Sequence, residues 1–176
     1  IEVGIWKLGK SLQRIRPASI DSESRLEDCL VEDLSILSPD LMLIGRQIAT
    51  DFGKFIDLLA MDAEGNLTVI ELKRNRTPRE VVAQILDYAS WVQNLSYDEI
   101  ADLYMEKNDG RALEEGFADA FDSSPPEKLN ENHTLIIVSA ELDSATERII
   151  NYLSDNYGVP INAIFFQCFK EGEAEF

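Results

Sequence analysis

Runs of alternating apolar and polar residues at the start of the chain predict short β-strands. Residues 1–17 are expected to form a small N-terminal hairpin, because Gly9-Lys10 suits a two-residue turn between two such runs. Pro17 is expected to end the hairpin, since proline donates no backbone hydrogen bond to a sheet.

Leucines at helical spacing follow this hairpin and predict the first helix, within residues 21–37. Ser22 or Ser24 is a suitable N-cap, because a serine hydroxyl accepts a hydrogen bond from a free backbone N–H group of the first turn. The leucines that define the spacing are Leu26, Leu30, Leu34 and Leu37.

Three strands are predicted next, around residues 41–48, within 51–62 and at 67–74. A second helix should follow and run to about Leu95. Thr77-Pro78-Arg79-Glu80 predicts its start, with Thr77 and Glu80 forming a capping box. Its apolar stripe consists of Val81, Ile85, Tyr88 and Val92.

The second half is predicted to contain an acidic helical insert at residues 97–131, lying on the surface, and then strand, helix and strand. These last elements are expected at 134–140, 143–157 and 161–169. The order predicts an α/β fold in which a mixed central sheet is flanked by helices and preceded by the hairpin. Residues 1–176 are interpreted as a single domain.

Composition narrows the classes of function. No apolar run is long enough to cross a bilayer, which argues against a membrane protein. Cys29 and Cys168 lie far apart and His133 is the only histidine, which argues against a cysteine or histidine metal site and fits a reducing cytoplasm. The chain begins at Ile1 without methionine, which predicts a trimmed N-terminus or a fragment.

Charge is distributed unevenly along the chain. The net charge is −17, and residues 95–176 carry 18 acidic but only 5 basic side chains. Such a chain repels polyphosphate at long range, so nucleic-acid binding would depend on a local basic segment. The densest basic segment is residues 73–79, with Lys73, Arg74, Arg76 and Arg79.

Two charged residues on the third predicted strand suggest a site. Glu71 and Lys73 are two residues apart, so they share one face of a strand that is otherwise apolar. If Ala63-Glu64-Gly65 forms a three-residue turn, Asp57 lies directly opposite Glu71. Two carboxylates this close require a proton or a cation between them. Oxygen ligands alone favour Mg²⁺ or Mn²⁺.

The spacing D-x(13)-ExK, followed by a helix with Q-x-x-x-Y, resembles the PD-(D/E)XK nuclease superfamily, and within it the RecB-like and NucS-type branch of DNA endonucleases. The resemblance covers residues 22–95 and implies a restriction-endonuclease-like sheet and a metal-dependent DNA endonuclease activity. It implies that Asp57, Glu71 and the backbone carbonyl of Leu72 bind Mg²⁺ or Mn²⁺, and that Lys73 positions or activates water.

The same resemblance assigns supporting roles to other residues. Glu27 matches a first-helix glutamate that assists metal or water binding, and Gln84 and Tyr88 match the helix motif that orients Lys73, the metal or DNA. The basic residues Arg74, Arg76 and Arg79 are interpreted as contacts to nucleic acid. NucS-type enzymes act as dimers, so a homodimer is one expected assembly.

Other interpretations remain open at this stage. With Ser24 as N-cap, Glu27 would instead belong to a capping box. Glu71 and Lys73 could form a surface ion pair, and Gln84 and Tyr88 could be polar edges of the core stripe. The alternative function is a catalytically silent module that binds nucleic acid, or a protein partner through the acidic half. A third is an enzyme acting on a smaller phosphate ester.

Overall fold

The computed structural model describes residues 4–176, apart from the side chain of Arg76. The predicted N-terminal hairpin is present as β1 (Trp6–Leu8) and β2 (Leu12–Arg14), which pair antiparallel. Its turn has three residues and not the predicted two, because Leu8 pairs with Leu12. Pro17 does not end the strand structure, because it lies within a third short strand, β3 (Arg16–Ala18), at the edge of a separate small sheet. An edge position is where a strand tolerates proline. The first three residues lie outside the description.

Helix α1 (Glu23–Glu32) is capped by Ser22, whose hydroxyl accepts a hydrogen bond from the N–H group of Arg25. The helix is shorter than the leucine spacing predicts, because Asp33 is extended and a separate 3₁₀ turn (Leu34–Ile36) follows. With Ser22 as the cap, Glu27 lies beyond the position that completes a capping box, so that alternative for Glu27 is wrong.

Five strands form the central sheet, in the spatial order β4-β5-β6-β7-β8. The first three are antiparallel, and the last two continue the sheet in parallel. Together with the flanking helices and the hairpin, this sheet confirms the predicted fold class. The strands are β4 (Leu41–Ala49), β5 (Phe55–Asp62), β6 (Leu67–Thr77), β7 (His133–Leu142) and β8 (Ile161–Phe165).

Helix α2 (Glu80–Val92) has the predicted buried stripe, but the predicted capping box is wrong. Thr77 makes no cap because it is the buried last residue of β6, where it pairs with Leu142. The carbonyl group of Thr77 instead accepts a hydrogen bond from the hydroxyl of Thr146. Tertiary pairing therefore extends the strand through the residue that local sequence assigns to the helix start.

The acidic segment contains α3 (Tyr97–Lys107) and α4 (Leu113–Phe121) and is not a surface excursion. Ile100, Tyr104, Leu113 and Phe117 are buried and belong to the main core cluster. Each helix is amphipathic, so the acidic residues face solvent while the apolar stripe covers the sheet. The negative charge of this half therefore lies on the outside of a packed element.

The C-terminal region differs from the single predicted strand. Helix α5 (Ser144–Tyr157) is capped by Asp143 and ends at Gly158, which is in the left-handed conformation. After β8, the chain leaves the central sheet and forms β9 (Cys168–Glu171) and β10 (Ala174–Glu175). These two strands complete the small sheet with β3.

Two apolar clusters lie on opposite faces of the central sheet. Helix α1 packs on one face, whereas α2, α3, α4 and α5 contribute to the cluster on the other. Ile70 and Leu72 face α1, so strand alternation directs Glu71 toward the face covered by α2. Among the described residues, no helix is both long and apolar enough to span a bilayer.

Candidate active site at the β5–β6 strand ends

The β5–β6 hairpin has the register that its turn predicts. Leu58 pairs with Ile70 and Met61 pairs with Leu67, and Gly65 has a φ of 79° in the turn. Regular pairing stops at Leu58, and the backbone N–H group of Leu72 donates to Oδ2 of Asp57 at 2.8 Å. At this end of the hairpin, the side chain of Asp57 therefore accepts a hydrogen bond from β6 where regular pairing between the two backbones has ended.

Glu71 is the most deeply buried charged residue of the site, with 1% of its surface exposed. Burial, the charge of Asp57 and a hydrogen-bond contact with that carboxyl group raise the pKa of Glu71 from 4.5 to about 7, although Lys73 opposes the shift. Oε2 of Glu71 is buried and has no hydrogen-bond donor among the described residues. This oxygen is therefore available to take a proton or to bind a cation.

Lys73 lies beside the two carboxylates and is half-buried. Its ammonium group donates to Oε1 of Glu71 at 2.5 Å. Burial lowers the pKa of Lys73, but the hydrogen bond to Glu71 and the surrounding carboxylates outweigh this effect and raise the pKa above its ordinary value. Lys73 therefore stays protonated at neutral pH, which favours a role as a charged donor over that of a general base.

Gln84 and Tyr88 reach the site from α2. The amide of Gln84 donates to the hydroxyl of Tyr88 at 3.0 Å, as expected for residues one helical turn apart. Burial raises the pKa of Tyr88, the Gln84 hydrogen bond lowers it, and the charges of Glu71 and Asp57 raise it further. The tyrosine ring is thus buried within electrostatic range of the acidic pair.

Glu27 is buried on α1 and reaches Asp57 through a residue that the sequence does not single out. Gln47 donates through Nε2 to Oε2 of Glu27 at 2.6 Å and to Oδ1 of Asp57 at 3.3 Å. Nε of Arg46 lies 2.6 Å from Oε1 of Glu27, at an angle that does not make a hydrogen bond. Gln47 could not be predicted from the sequence, because it belongs to no motif there.

Phe52 is a second residue near the site that was not predicted from the sequence. Its ring stacks on that of Tyr88, with ring centroids 6.4 Å apart and an interplanar angle of 14°, while 43% of its surface remains exposed. It lies in the turn between β4 and β5. The sequence shows an aromatic residue next to Gly53 in a turn, but the contact of Phe52 with α2 follows only from the fold.

Two of the three predicted nucleic-acid contacts, Arg74 and Arg79, each lie against groups of this chain. The guanidinium of Arg74 donates to the carbonyl of Asp21, and its backbone N–H group donates to Glu23 at 3.1 Å. Arg79 is exposed at the start of α2 and lies 3.6 Å from a carboxylate oxygen of Glu80. The side chain of Arg76 lies outside the description.

The donor set fits a small divalent cation that keeps part of its water. Within residues 4–176, and leaving aside the side chain of Arg76, no three His, Cys, Asp or Glu side chains are grouped to hold a metal ion by themselves. Mg²⁺ is commonly held by one or two carboxylates, with water completing its shell. The Asp57–Glu71 pair and the undonated Oε2 of Glu71 match this requirement.

Residues 22–107 match the endonuclease NucS C-terminal domain. The match spans just under half of the chain and includes Glu27, Gln47, Asp57, Glu71, Lys73, Gln84 and Tyr88. Endonuclease NucS of Thermococcus kodakarensis is 31% identical over 67 residues, which are 38% of this chain. The matched part is 26% of that relative, so the likeness concerns about a quarter of its length.

Two solved structures share the fold at low sequence identity. EndoMS in its dsDNA complex and EndoMS in its apo form each superpose with a TM-score of 0.50 at 18% identity and cover 93% of this chain. The chain accounts for 64% and 65% of those proteins. At this identity the likeness establishes the arrangement of helices and strands, and it extends well beyond the residues that match the NucS domain.

Proposed function

We propose that this chain contains a metal-dependent DNA endonuclease domain that hydrolyses phosphodiester bonds. The observation that carries the proposal is the buried Glu71, whose Oε2 lacks a donor and whose neighbour is a second carboxylate. The match of residues 22–107 to the NucS C-terminal domain supports the choice of DNA as substrate. Placing a second carboxylate beside a buried one costs stability, and such an arrangement is typical of functional sites.

In this proposal Asp57, Glu71 and the backbone carbonyl of Leu72 hold Mg²⁺ or Mn²⁺. The bound ion would neutralise charge on the phosphodiester and lower the pKa of water. The fold of the chain holds the carboxylate ligands in position. The Leu72 N–H group fixes one oxygen of Asp57, and Glu71 already lies in contact with that carboxyl group, so little reorganisation is needed when a cation arrives.

Lys73 is proposed to bind and orient the water or a phosphate oxygen through its protonated ammonium group. Its hydrogen bond to Glu71 keeps it next to the metal ligands without burying an unpaired charge. Gln84 and Tyr88 are hydrogen-bonded to each other on α2, and Tyr88 lies within electrostatic range of Glu71, Asp57 and Lys73. The proposed metal ligands, Lys73 and the Gln84–Tyr88 pair all lie near the point where the regular pairing of β5 with β6 ends.

DNA binding is proposed to rely on the basic segment 73–79, since the overall charge of −17 repels a polyanion. Arg74, Arg76 and Arg79 are its proposed contacts. The acidic surface of α3 and α4 restricts binding to this side of the molecule. A homodimer, a protein partner on the acidic surface and a cytoplasmic location remain proposals.

The test is an incubation of the chain with single-stranded, double-stranded and branched DNA in Mg²⁺ or Mn²⁺, beside Glu71→Ala and Lys73→Ala. Matched controls are Glu64→Ala and Lys10→Ala, which remove the same residue types from exposed positions. We expect both site variants to lose cleavage and both controls to retain it.

Cleavage that survives Glu71→Ala and Lys73→Ala would contradict the assigned site. If the unaltered chain binds DNA tightly and cuts none of the substrates, the silent binding module replaces the nuclease proposal. A small phosphodiester in the same assay tests the third alternative, because turnover of that ester without DNA cleavage would identify a smaller substrate.

A further inference from the structure

Gln47 has an unusual backbone conformation for a residue inside a strand. Its φ is 50°, in the left-handed region that residues other than glycine rarely adopt. The strand does not end there, because Arg46 pairs with Leu58 and Ile48 pairs with Ile56 on either side of it. The conformation is therefore held by its surroundings at a point within the edge strand β4.

This conformation has a direct consequence for two neighbouring side chains. In a regular strand, consecutive residues point to opposite faces, so Arg46 and Gln47 could not reach one group. Here both contact the carboxylate of Glu27: Arg46 lies against Oε1 and Gln47 donates to Oε2, each at 2.6 Å. The left-handed residue thus allows two consecutive residues of β4 to hold both oxygens of one buried carboxylate.

The same amide group also contacts Asp57. Its second hydrogen can be donated to Oδ1 of Asp57 at 3.3 Å, while the Leu72 N–H group holds Oδ2. Both oxygens of Asp57 are therefore oriented by neutral donors, and each keeps a lone pair for another partner. An arginine or lysine in place of Gln47 would pair with Asp57, the proposed metal ligand, and offset charge that a cation requires, whereas Arg46 already pairs with Glu27.

We propose that Gln47 is a positioning residue, whose amide, presented from a left-handed backbone, fixes Glu27 of α1 and Asp57 of β5 relative to each other so that the acidic site can take a divalent cation. This inference rests on the proposed function, because it concerns the same site. It explains how Glu27 acts on the site although α1 packs on the opposite face of the sheet from α2.

The experiment measures Mn²⁺ binding by the whole chain without DNA, using calorimetry or electron paramagnetic resonance. Outer hydrogen bonds to metal ligands typically change metal affinity about 10- to 100-fold, so Gln47→Leu is expected to weaken Mn²⁺ binding by at least about tenfold. Gln13→Leu, in the exposed N-terminal hairpin, is the matched control and should bind as the unaltered chain does. Asp57→Asn should abolish binding.

A second variant separates positioning from folding. Gln47→Gly removes the amide but accepts the left-handed backbone without strain, so it should fold and still lose Mn²⁺ affinity. Thermal unfolding in the absence of metal confirms that each variant is folded. In a cleavage assay, Gln47→Gly should need a correspondingly higher Mn²⁺ concentration for its half-maximal rate, a shift that a purely structural defect would not produce.

The inference is overturned if Gln47→Leu and Gln47→Gly bind Mn²⁺ within about twofold of the unaltered chain while Asp57→Asn does not bind. If the expected affinities are found but the unaltered chain cuts no DNA, the role of Gln47 stands and the nuclease proposal fails. If the unaltered chain binds no Mn²⁺, both are overturned.

Discussion

Asp57 and Asp62 lie five residues apart on β5, and both accept a hydrogen bond from the backbone, yet their surroundings differ. Oδ1 of Asp62 accepts from the N–H groups of Glu64 at 3.0 Å and Asn66 at 2.8 Å, and Oδ2 accepts from the Asn66 amide at 3.2 Å. These donors all belong to the turn that Asp62 begins. The carboxylate of Asp62 is satisfied locally and stabilises the turn.

Asp57, by contrast, faces a second carboxylate that has no donor for one of its oxygens. Its own donors come from β6 and β4, which are distant in sequence. The comparison shows that the same residue type in the same strand stabilises a turn where local donors satisfy it, and forms a candidate site where it faces a buried carboxylate with one oxygen lacking a donor.

The largest expected effect separates the two aspartates by activity. Asp57→Asn should reduce cleavage by roughly a thousandfold or more, because loss of a metal ligand removes several kcal/mol of transition-state stabilisation. Asp62→Asn is the matched change at the other end of β5 and should leave the rate within about twofold. Steady-state rates at saturating Mg²⁺ provide the measurement, and equal losses in the two variants would contradict the distinction.

The next effect concerns stability in the absence of metal. An acid whose pKa is about 7 in the folded chain and near 4.5 when unfolded binds more protons in the folded state between these values. The free energy of unfolding of the unaltered chain should therefore fall by about 3 kcal/mol as the pH rises from 4.5 to above 7, considering Glu71 alone.

Glu71→Gln removes this penalty and should be more stable than the unaltered chain at pH 8 by up to about 3 kcal/mol, with little difference at pH 4. Urea denaturation with a chelator present, at both pH values, tests this expectation. A difference that does not change with pH would show that the Glu71 carboxyl titrates normally. Adding Mg²⁺ at pH 8 should stabilise the unaltered chain and not the variant.

The smallest effect belongs to the turn. Asp62→Ala should lower the free energy of unfolding by about 1–2 kcal/mol, because it removes a charged acceptor of backbone hydrogen bonds. Thermal unfolding provides the test, and a loss of DNA cleavage in the folded variant would place Asp62 in the site.

The parts of the fold that could be predicted from sequence are those determined by local chemistry. Ser22 and Asp143 cap helices because their side chains reach the first turn, and Gly65 fixes the hairpin register because its turn requires a positive φ. Once that register is known, strand alternation brings Asp57, Glu71 and Lys73 to one face.

The features that were missed depend on tertiary contacts. Thr77 continues β6 because β7 pairs with it, although its local sequence favours a helix cap. The helices of the acidic segment pack into the core because their apolar residues repeat at helical spacing. The acidic composition of the segment favoured a surface position and outweighed this spacing in the prediction. The conformation of Gln47 has no sequence signature, since glutamine does not prefer the left-handed region.

The most direct test of the central claim is diffraction from crystals of the chain soaked in Mn²⁺, with anomalous difference maps calculated at the manganese absorption edge. The account predicts one peak between the carboxyl groups of Asp57 and Glu71, absent from Asp57→Asn crystals and retained in Asp62→Asn crystals. An empty Asp57–Glu71 pair at saturating Mn²⁺, or a peak that persists in Asp57→Asn, would contradict it.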